Sequence, residues 1–246
     1  MTIVESDTRL AERLAHEAGD LLLALQRNGG LEGKALGVEG DKIANALLMR
    51  ALRSARPDDA ILSEEEADNA ARLTAKRVWI VDPLDGTREY SEGRDDWAVH
   101  VALAIDGVAT VGAVALPGQK LTLSSAGRSP LPPANTPPIM LVSRTRPAPE
   151  AVSVAKALGA ELLPMGSAGA KAMAVVLGLA DIYLHTGGQY QWDNCAPVAV
   201  AQAAGLHCSR VDGSPLVYNA AQTALPDLLI CRPELVDQIM AALTAL

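Results

Sequence analysis

The sequence predicts one compact α/β (α+β) protein. Three observations carry this: two amphipathic helical stretches at the start, a meander of apolar runs in the middle, and alternating strand-like and helical segments toward the end. A chain of 246 residues suits one large core or two intimately packed subdomains. Residues 5–27 carry Leu10, Leu14, Leu21 and Leu25 at helical spacing and run into Asn28-Gly29-Gly30, a favourable helix stop. Residues 31–40 are glycine-rich and read as irregular, so a second helix is expected over 41–53 with Asp41 as its N-cap. Two strand-like runs follow, 60–62 and 77–81, and each ends in acids: Glu64, Glu65 and Glu66 after the first, Asp82 and Asp85 after the second.

Runs at 97–105, 108–116 and 120–124 are separated by Asp106-Gly107 and Pro117-Gly118, turn pairs that predict an antiparallel meander. The proline-rich stretch 127–138 is the best internal boundary, dividing an α+β subdomain over 1–130 from an α/β subdomain over 139–246. In the second part, strands near 139–142, 181–185 and 228–230 alternate with helices near 168–177, 195–204 and 234–243. Thr186, Gly187 and Gly188 are read as a loop leading to Trp192-Asp193.

Composition narrows the function classes. Hydrophobic residues make up 49% and charged residues 20%, an ordinary globular balance, and no run approaches the roughly 20 apolar residues of a membrane helix. The charged N-terminus has no signal-peptide pattern, so a cytoplasmic location is expected. A net charge of −8 argues against nonspecific nucleic-acid binding, which relies on basic side chains, but permits a small anionic substrate where cations supply local positive charge. Cys195, Cys208 and Cys231 form neither a CxxC pair nor an even framework and are expected as reduced thiols.

The chemistry concentrates in the acids. In the run WIVDPLDGT, Asp82 and Asp85 follow a strand, Pro83 restricts the backbone between them, and Gly86 permits a tight turn that lets both carboxylates face one point. Hard cations such as Mg2+ take oxygen ligands, and the Leu84 carbonyl between the two acids is a further oxygen. From local sequence alone the same run also reads as a solvated turn.

The segments ILSEE at 61–65, VDPLDGT at 81–87 and WDNCAP at 192–197 resemble, in order and separation, the three motifs of the inositol monophosphatase superfamily. The resemblance implies a layered αβαβα sandwich of the inositol monophosphatase and fructose-1,6-bisphosphatase type. It also implies a Mg2+-dependent phosphoric monoester hydrolase with two or three ions per site, sensitive to Li+ and homodimeric. By that resemblance Glu64, Asp82 and the Leu84 carbonyl hold one Mg2+, while Asp82, Asp85 and Asp193 hold a second. Thr87 with Glu64 orients the attacking water, the Gly86 and Thr87 amides meet phosphate oxygens, and Asp41 hydrogen-bonds the catalytic threonine. The family's threonine upstream of that aspartate is missing here, so Asp41 also reads as a simple N-cap. Glu65 reads either as a support to the site or as one acid of an exposed run.

The stretch from Gly166 and Ser167 to Lys171, followed by WDNCAP, is similar to the 3′(2′),5′-bisphosphate nucleotidases of this superfamily. This implies 3′-phosphoadenosine 5′-phosphate as substrate, hydrolysed to AMP in sulfate assimilation; inositol 1-phosphate or fructose 1,6-bisphosphate is the alternative. Lys171 reads either as a counter-charge to the retained phosphate or as a solvated helix lysine. Ser143-Arg144 resembles an element that helps line the nucleotide pocket, and Arg144 also reads as a surface charge. Tyr190 and Trp192 could stack near adenine, though Trp192 reads more simply as a packing anchor. His100 is expected to be a satisfied core histidine, and His185 a loop residue beside the pocket. A catalytically silent metal- or nucleotide-binding regulator is a reading of another class; it would lack a motif acid, and none is missing.

Overall fold

The computed structural model describes residues 5–127 and 130–246; Arg128 and Ser129, inside the predicted boundary segment, and the first four residues lie outside the described residues. Helix α1 spans Asp7–Asn28, and its start is set by Ser6, whose hydroxyl oxygen accepts the Arg9 amide at 3.3 Å. Its buried stripe is Leu10, Leu14, Ala18 and Leu22, with Leu22 rather than Leu21 turned inward. Helix α2 runs Gly33–Ala55, so the segment expected to be irregular is helical and Asp41 is an interior residue, not an N-cap. Close packing is the reason. A β-carbon at Gly37 would lie 2.6 Å from Ser91 Oγ and 2.8 Å from Thr87 Cγ2, and one at Gly40 would lie 3.0 Å from the Tyr90 ring. These glycines let α2 approach the five-residue helix α3, Thr87–Ser91, more closely than side chains would allow.

The first sheet has the order β1-β2-β3-β4-β5: Ala60–Ser63, Arg77–Asp85, Ala98–Ile105, Val108–Leu116 and Leu121–Ser124. β1 is parallel to β2; β3, β4 and β5 form the antiparallel meander that the turn residues predicted, and β2 joins its edge antiparallel to β3. Asp106 and Gly107 both have positive φ (49° and 81°), the geometry of a primed two-residue hairpin turn. The second sheet has the order β7-β6-β8-β10-β9: Glu161–Met165, Ile139–Ser143, Ile182–Tyr190, Ala224–Cys231 and His207–Ser209. β8 continues to Tyr190, so Thr186, Gly187 and Gly188 belong to a strand, not a loop; Leu225 and Gln189 pair across it, with a register shift before Asp227.

Alternating side chains build the layers. One face of the first sheet (Trp79, Val81, Val99, Val101) packs on α1 and α2. Its other face (Val78, Ile80, Ala102, Val114) packs on α5, Ala168–Val176, and α6, Gln191–Ala203, which also cover Leu141, Tyr183 and Ile230 of the second sheet. The far face of that sheet (Met140, Ile182, Leu184, Leu229) packs on α4, Pro149–Leu158, and α7, Val236–Thr244. The result is a five-layer αβαβα sandwich, as the sequence resemblance implied. No described helix is long and apolar enough to cross a membrane, and the three cysteines are free thiols.

Candidate active site

Four element ends converge on one point. β2 pairs regularly with β3 as far as Asp82 opposite His100, then shifts register before Asp85 pairs with Ala98. Pro83 has no amide hydrogen for the ladder, and the irregularity lets two aspartates three residues apart face the same space. The Leu84 amide donates to Asp82 Oδ1 at 3.0 Å, and Gly86 at φ 86° turns the chain into α3. β1 brings Glu64 alongside, its amide donating to the Val81 carbonyl at 3.3 Å. The first turn of α6 supplies Asp193, whose Oδ2 accepts the Tyr190 amide at 2.5 Å. Asp82, Asp85 and Asp193 each offer an oxygen within 4.8 Å of the others.

Electrostatics divides these acids. Burial pushes the Asp82 carboxyl well above the usual range, and Glu64, Asp85 and Asp193 push it further. Burial, then Asp85, raises Asp193 to about 7; burial, then Glu65 and Glu64, raises Asp41 to about 7. Glu64 is exposed at the mouth of the site, yet the protein crowded around its carboxyl and the neighbouring acids raise it, while a hydrogen bond shared with Asp82 opposes the rise. Asp85 is the exception. Burial also favours its neutral form, but His100 and hydrogen bonds from Ser167 and Gly169 win and hold it near 2. Ser167 Oγ lies 2.5 Å and the Gly169 amide 2.6 Å from Asp85 Oδ2, and the Ala168 amide is 3.1 Å from Oδ1. Asp85 is therefore anchored to the start of α5, across the molecule from its own strand.

His100 was expected to be a core histidine without a part in the site. It is buried, but its Nε2 lies 3.2 Å from Asp85 Oδ2, within ion-pair reach although off hydrogen-bond geometry, while Nδ1 lies 3.0 Å from the Trp192 carbonyl. His100 is the residue that sequence reasoning missed. The signal was the meander itself, because antiparallel pairing of β2 with β3 places His100 opposite Asp82.

Thr87 Oγ1 donates to the Leu84 carbonyl at 3.1 Å, with Asp41 Oδ1 as a longer alternative acceptor at 3.4 Å. Asp41 thus meets Thr87 as the resemblance implied, from the interior of α2 and not from a helix mouth. Glu65 is exposed. On the opposite wall, Gly166, Ser167 and Lys171 line a cavity with Ser143 and Arg144, and most of their polar groups are already engaged, the buried Arg144 Nε being the exception. The Gly166 amide donates to Asp96 Oδ2 at 2.7 Å, and the Lys171 ammonium, buried over the Tyr183 ring, donates to the Gly166 carbonyl at 2.8 Å and to the Ser167 carbonyl. Lys171 is not a solvated helix lysine. Burial lowers it to about 8, and it braces the loop that holds Asp85. Arg144 is likewise not a free surface charge, since it pairs with Glu89 at 2.8 Å and Glu92 at 2.9 Å. His185 lies in β8 rather than in a loop. Tyr190 stacks flat on Trp192, with centroids 4.8 Å apart and planes 7° from parallel.

The sequence matches the inositol monophosphatase family model over residues 4–244, nearly the whole chain. The chain belongs to the inositol monophosphatase family. Within it, the chain is similar to a 3′-phosphoadenosine 5′-phosphate phosphatase of Mycobacterium leprae (strain TN), 47% identical over 97% of this chain and 93% of that protein. It is also similar to the 3′(2′),5′-bisphosphate nucleotidase CysQ of Escherichia coli (strain K12), 30% identical over 75% of this chain and 80% of that one. A solved family structure, CysQ from Bacteroides thetaiotaomicron, superposes with a TM-score of 0.79, 23% identity and coverage of 94% and 99%.

The inositol monophosphatase site has a donor set that fits a hard divalent cation: carboxylate oxygens of buried Asp82 and Asp85 and half-buried Asp193 gathered within 4.8 Å, and no lysine or arginine in contact with Asp82 among the described residues. A pH dependence follows. Asp41 and Asp193 have ordinary values of 3.8 and folded values near 7. As pH rises between these, the unfolded chain releases protons that the folded chain retains, so stability falls, and the loss is complete above about 7. Asp85 acts in the opposite sense only below about 4. Chelated protein is therefore expected to melt at a lower temperature at pH 8 than at pH 5, and Mg2+ to raise the melting temperature more at pH 8. An equal Mg2+ effect at both would count against the cluster as the cation site.

Proposed function

We propose that the protein is a Mg2+-dependent phosphatase that hydrolyses the 3′-phosphate of 3′-phosphoadenosine 5′-phosphate to give AMP and phosphate. The observation carrying the phosphatase reading is the cluster of buried Asp82 and Asp85 with half-buried Asp193 at the ends of β2 and α6. The nucleotide as substrate is supported by the similarity to the 3′-phosphoadenosine 5′-phosphate phosphatase of Mycobacterium leprae, at 47% identity over nearly the full chain. The cation set is Glu64, Asp82, the Leu84 carbonyl, Asp85 and Asp193, drawn from both proposed subdomains, 1–130 and 139–246. When bound, the cations supply positive charge that makes water more acidic and offsets charge on the phosphoryl oxygens and the departing oxygen.

The chain's own groups do the rest. Asp85, fixed by Ser167, Gly169 and His100, stays ionised and in place. The Thr87 hydroxyl, with its proton held by the Leu84 carbonyl or Asp41, keeps lone pairs for a water, and Glu64 beside Asp82 can take that water's proton. Water oxygen bonds to phosphorus as its proton passes to Glu64, the ester P–O bond breaks, and the leaving oxygen takes a proton from a solvent water to become the nucleoside hydroxyl. No covalent phosphoenzyme is needed. Gly86, Thr87 and Asp193 face the reacting phosphate, with Ser143, Arg144 and the Gly166–Ser167–Lys171 wall beyond it.

The Tyr190-Trp192 stack favours a nucleotide over an inositol. Trp192 holds one face of Tyr190, and Tyr190 remains 43% exposed beside Asp193, a rigid platform for a base. Tyr190→Ala should raise KM for the adenosine bisphosphate about tenfold, within the range of aromatic stacking, and leave fructose 1,6-bisphosphate hydrolysis unchanged. A cytoplasmic homodimer inhibited by Li+ is part of the same reading. The deciding experiment is steady-state kinetics on 3′-phosphoadenosine 5′-phosphate, inositol 1-phosphate and fructose 1,6-bisphosphate. A higher kcat/KM for either of the last two would sink the substrate assignment.

A further inference from the structure

Beside the acidic cluster lies a cavity of about 510 Å³ whose wall carries four cationic side chains, Arg88, Arg144, Arg146 and Lys171, against the single acid Glu89. Three of the four are occupied. Arg88 pairs with Glu92 at 3.0 Å, Arg144 has its charge paired with Glu89 and Glu92 through Nη2 while its buried Nε has no partner, and Lys171 is spent on the Gly166 and Ser167 carbonyls. Arg146 differs. Its amide donates to Ser143 Oγ at 3.2 Å, which fixes the turn after β6, but its guanidinium has no carboxylate or hydrogen-bond partner among the described residues. Its charge reaches inward, since His185 on β8 is held below its usual value first by burial, then by Lys171, with Arg146 adding to the effect. The cavity adjoins the acids directly, because Ser167 on its wall lies 2.5 Å from Asp85 and Arg88 follows Thr87.

An unpaired guanidinium beside a surplus of positive charge is a receptor for an anion, and its planar fork suits two oxygens of one phosphate. We infer that Arg146 binds the second, non-reacting phosphate of the substrate and so selects a bisphosphate over a monophosphate. Arg144 and Arg88 are held back by glutamates and shape the cavity around it. The inference rests on the phosphatase reading and deepens it: the acids process one phosphate, and the cationic cavity recognises the other.

The test compares adenosine 3′,5′-bisphosphate with adenosine 3′-monophosphate. Arg146 is exposed, so Arg146→Gln removes charge without opening the core. The expected result is a fall in kcat/KM for the bisphosphate of about tenfold to a hundredfold, carried by KM, with the monophosphate unchanged and Arg146→Lys restoring part of the loss. Arg144→Gln should not reproduce that selectivity. If wild-type protein hydrolyses both substrates and Arg146→Gln shifts them equally or not at all, the inference is overturned while the phosphatase reading stands. If wild-type protein hydrolyses neither, the phosphatase reading fails and takes this inference with it.

Discussion

Asp82→Asn should abolish turnover while stabilising the chelated protein. Asp82 is 1% exposed, surrounded by Glu64, Asp85 and Asp193, and burial among them holds its carboxyl far from its ordinary ionisation. An amide of the same shape keeps the hydrogen bond from the Leu84 amide through its carbonyl oxygen and removes the charge conflict, which is a destabilising element kept for function. Activity should drop by more than about a hundredfold, because losing even an outer partner of a metal ligand costs about 10–100-fold. In chelator the melting temperature should rise, by about 2–4 °C per kcal/mol for a chain of this size. Mg2+ should no longer raise it appreciably. A variant that is both inactive and less stable in chelator would mean that Asp82 serves packing, not a cation.

Thr87→Val should lower kcat by about 10²–10⁴-fold with little change in KM, the range for disabling an acid–base pair, because Thr87 positions the water that Glu64 deprotonates. Valine keeps the volume against Gly37 but cannot contact the Leu84 carbonyl or Asp41 through a hydroxyl. Asp41→Asn, acting only through Thr87, should give a smaller fall. Equal loss in both variants would assign the water-orienting role to the pair as a unit, and an unchanged kcat in Thr87→Val would remove Thr87 from the chemistry.

The motif acids were legible because their chemistry depends on short-range sequence: a strand, a proline, two aspartates and a glycine dictate the end of β2 almost alone. Asp193 was equally readable as the acid at the start of a helix. What escaped depended on partners distant in sequence. Gly37 and Gly40 are poor helix formers in isolation, and only contact with α3 explains their place inside α2. Helix α4 was hidden by Pro147 and Pro149, yet Pro149 stands in the first turn, where a missing amide costs nothing, and Gly159 at φ 66° closes the helix. Strand β7 lacks alternation and contains Pro164, which an edge strand tolerates. His100 looked like core because it is core, and only the register of the meander revealed its acid neighbour.

The solvated-lysine reading of Lys171 and the surface-charge reading of Arg144 fail in a common way. Sequence shows which cations are near a pocket but not which have been neutralised. Arg144 and Lys171 are engaged with glutamates and carbonyls, whereas Arg146, two residues on, is the cation of the cavity wall with no acid or carbonyl against its guanidinium among the described residues.

The central claim is that a divalent cation held by Asp82, Asp85 and Asp193 is required for hydrolysis. The most direct measurement is phosphate release from 3′-phosphoadenosine 5′-phosphate by protein stripped with chelator, before and after Mg2+ is restored. The account predicts no turnover in chelator and full recovery on adding Mg2+; undiminished turnover in chelator would contradict it.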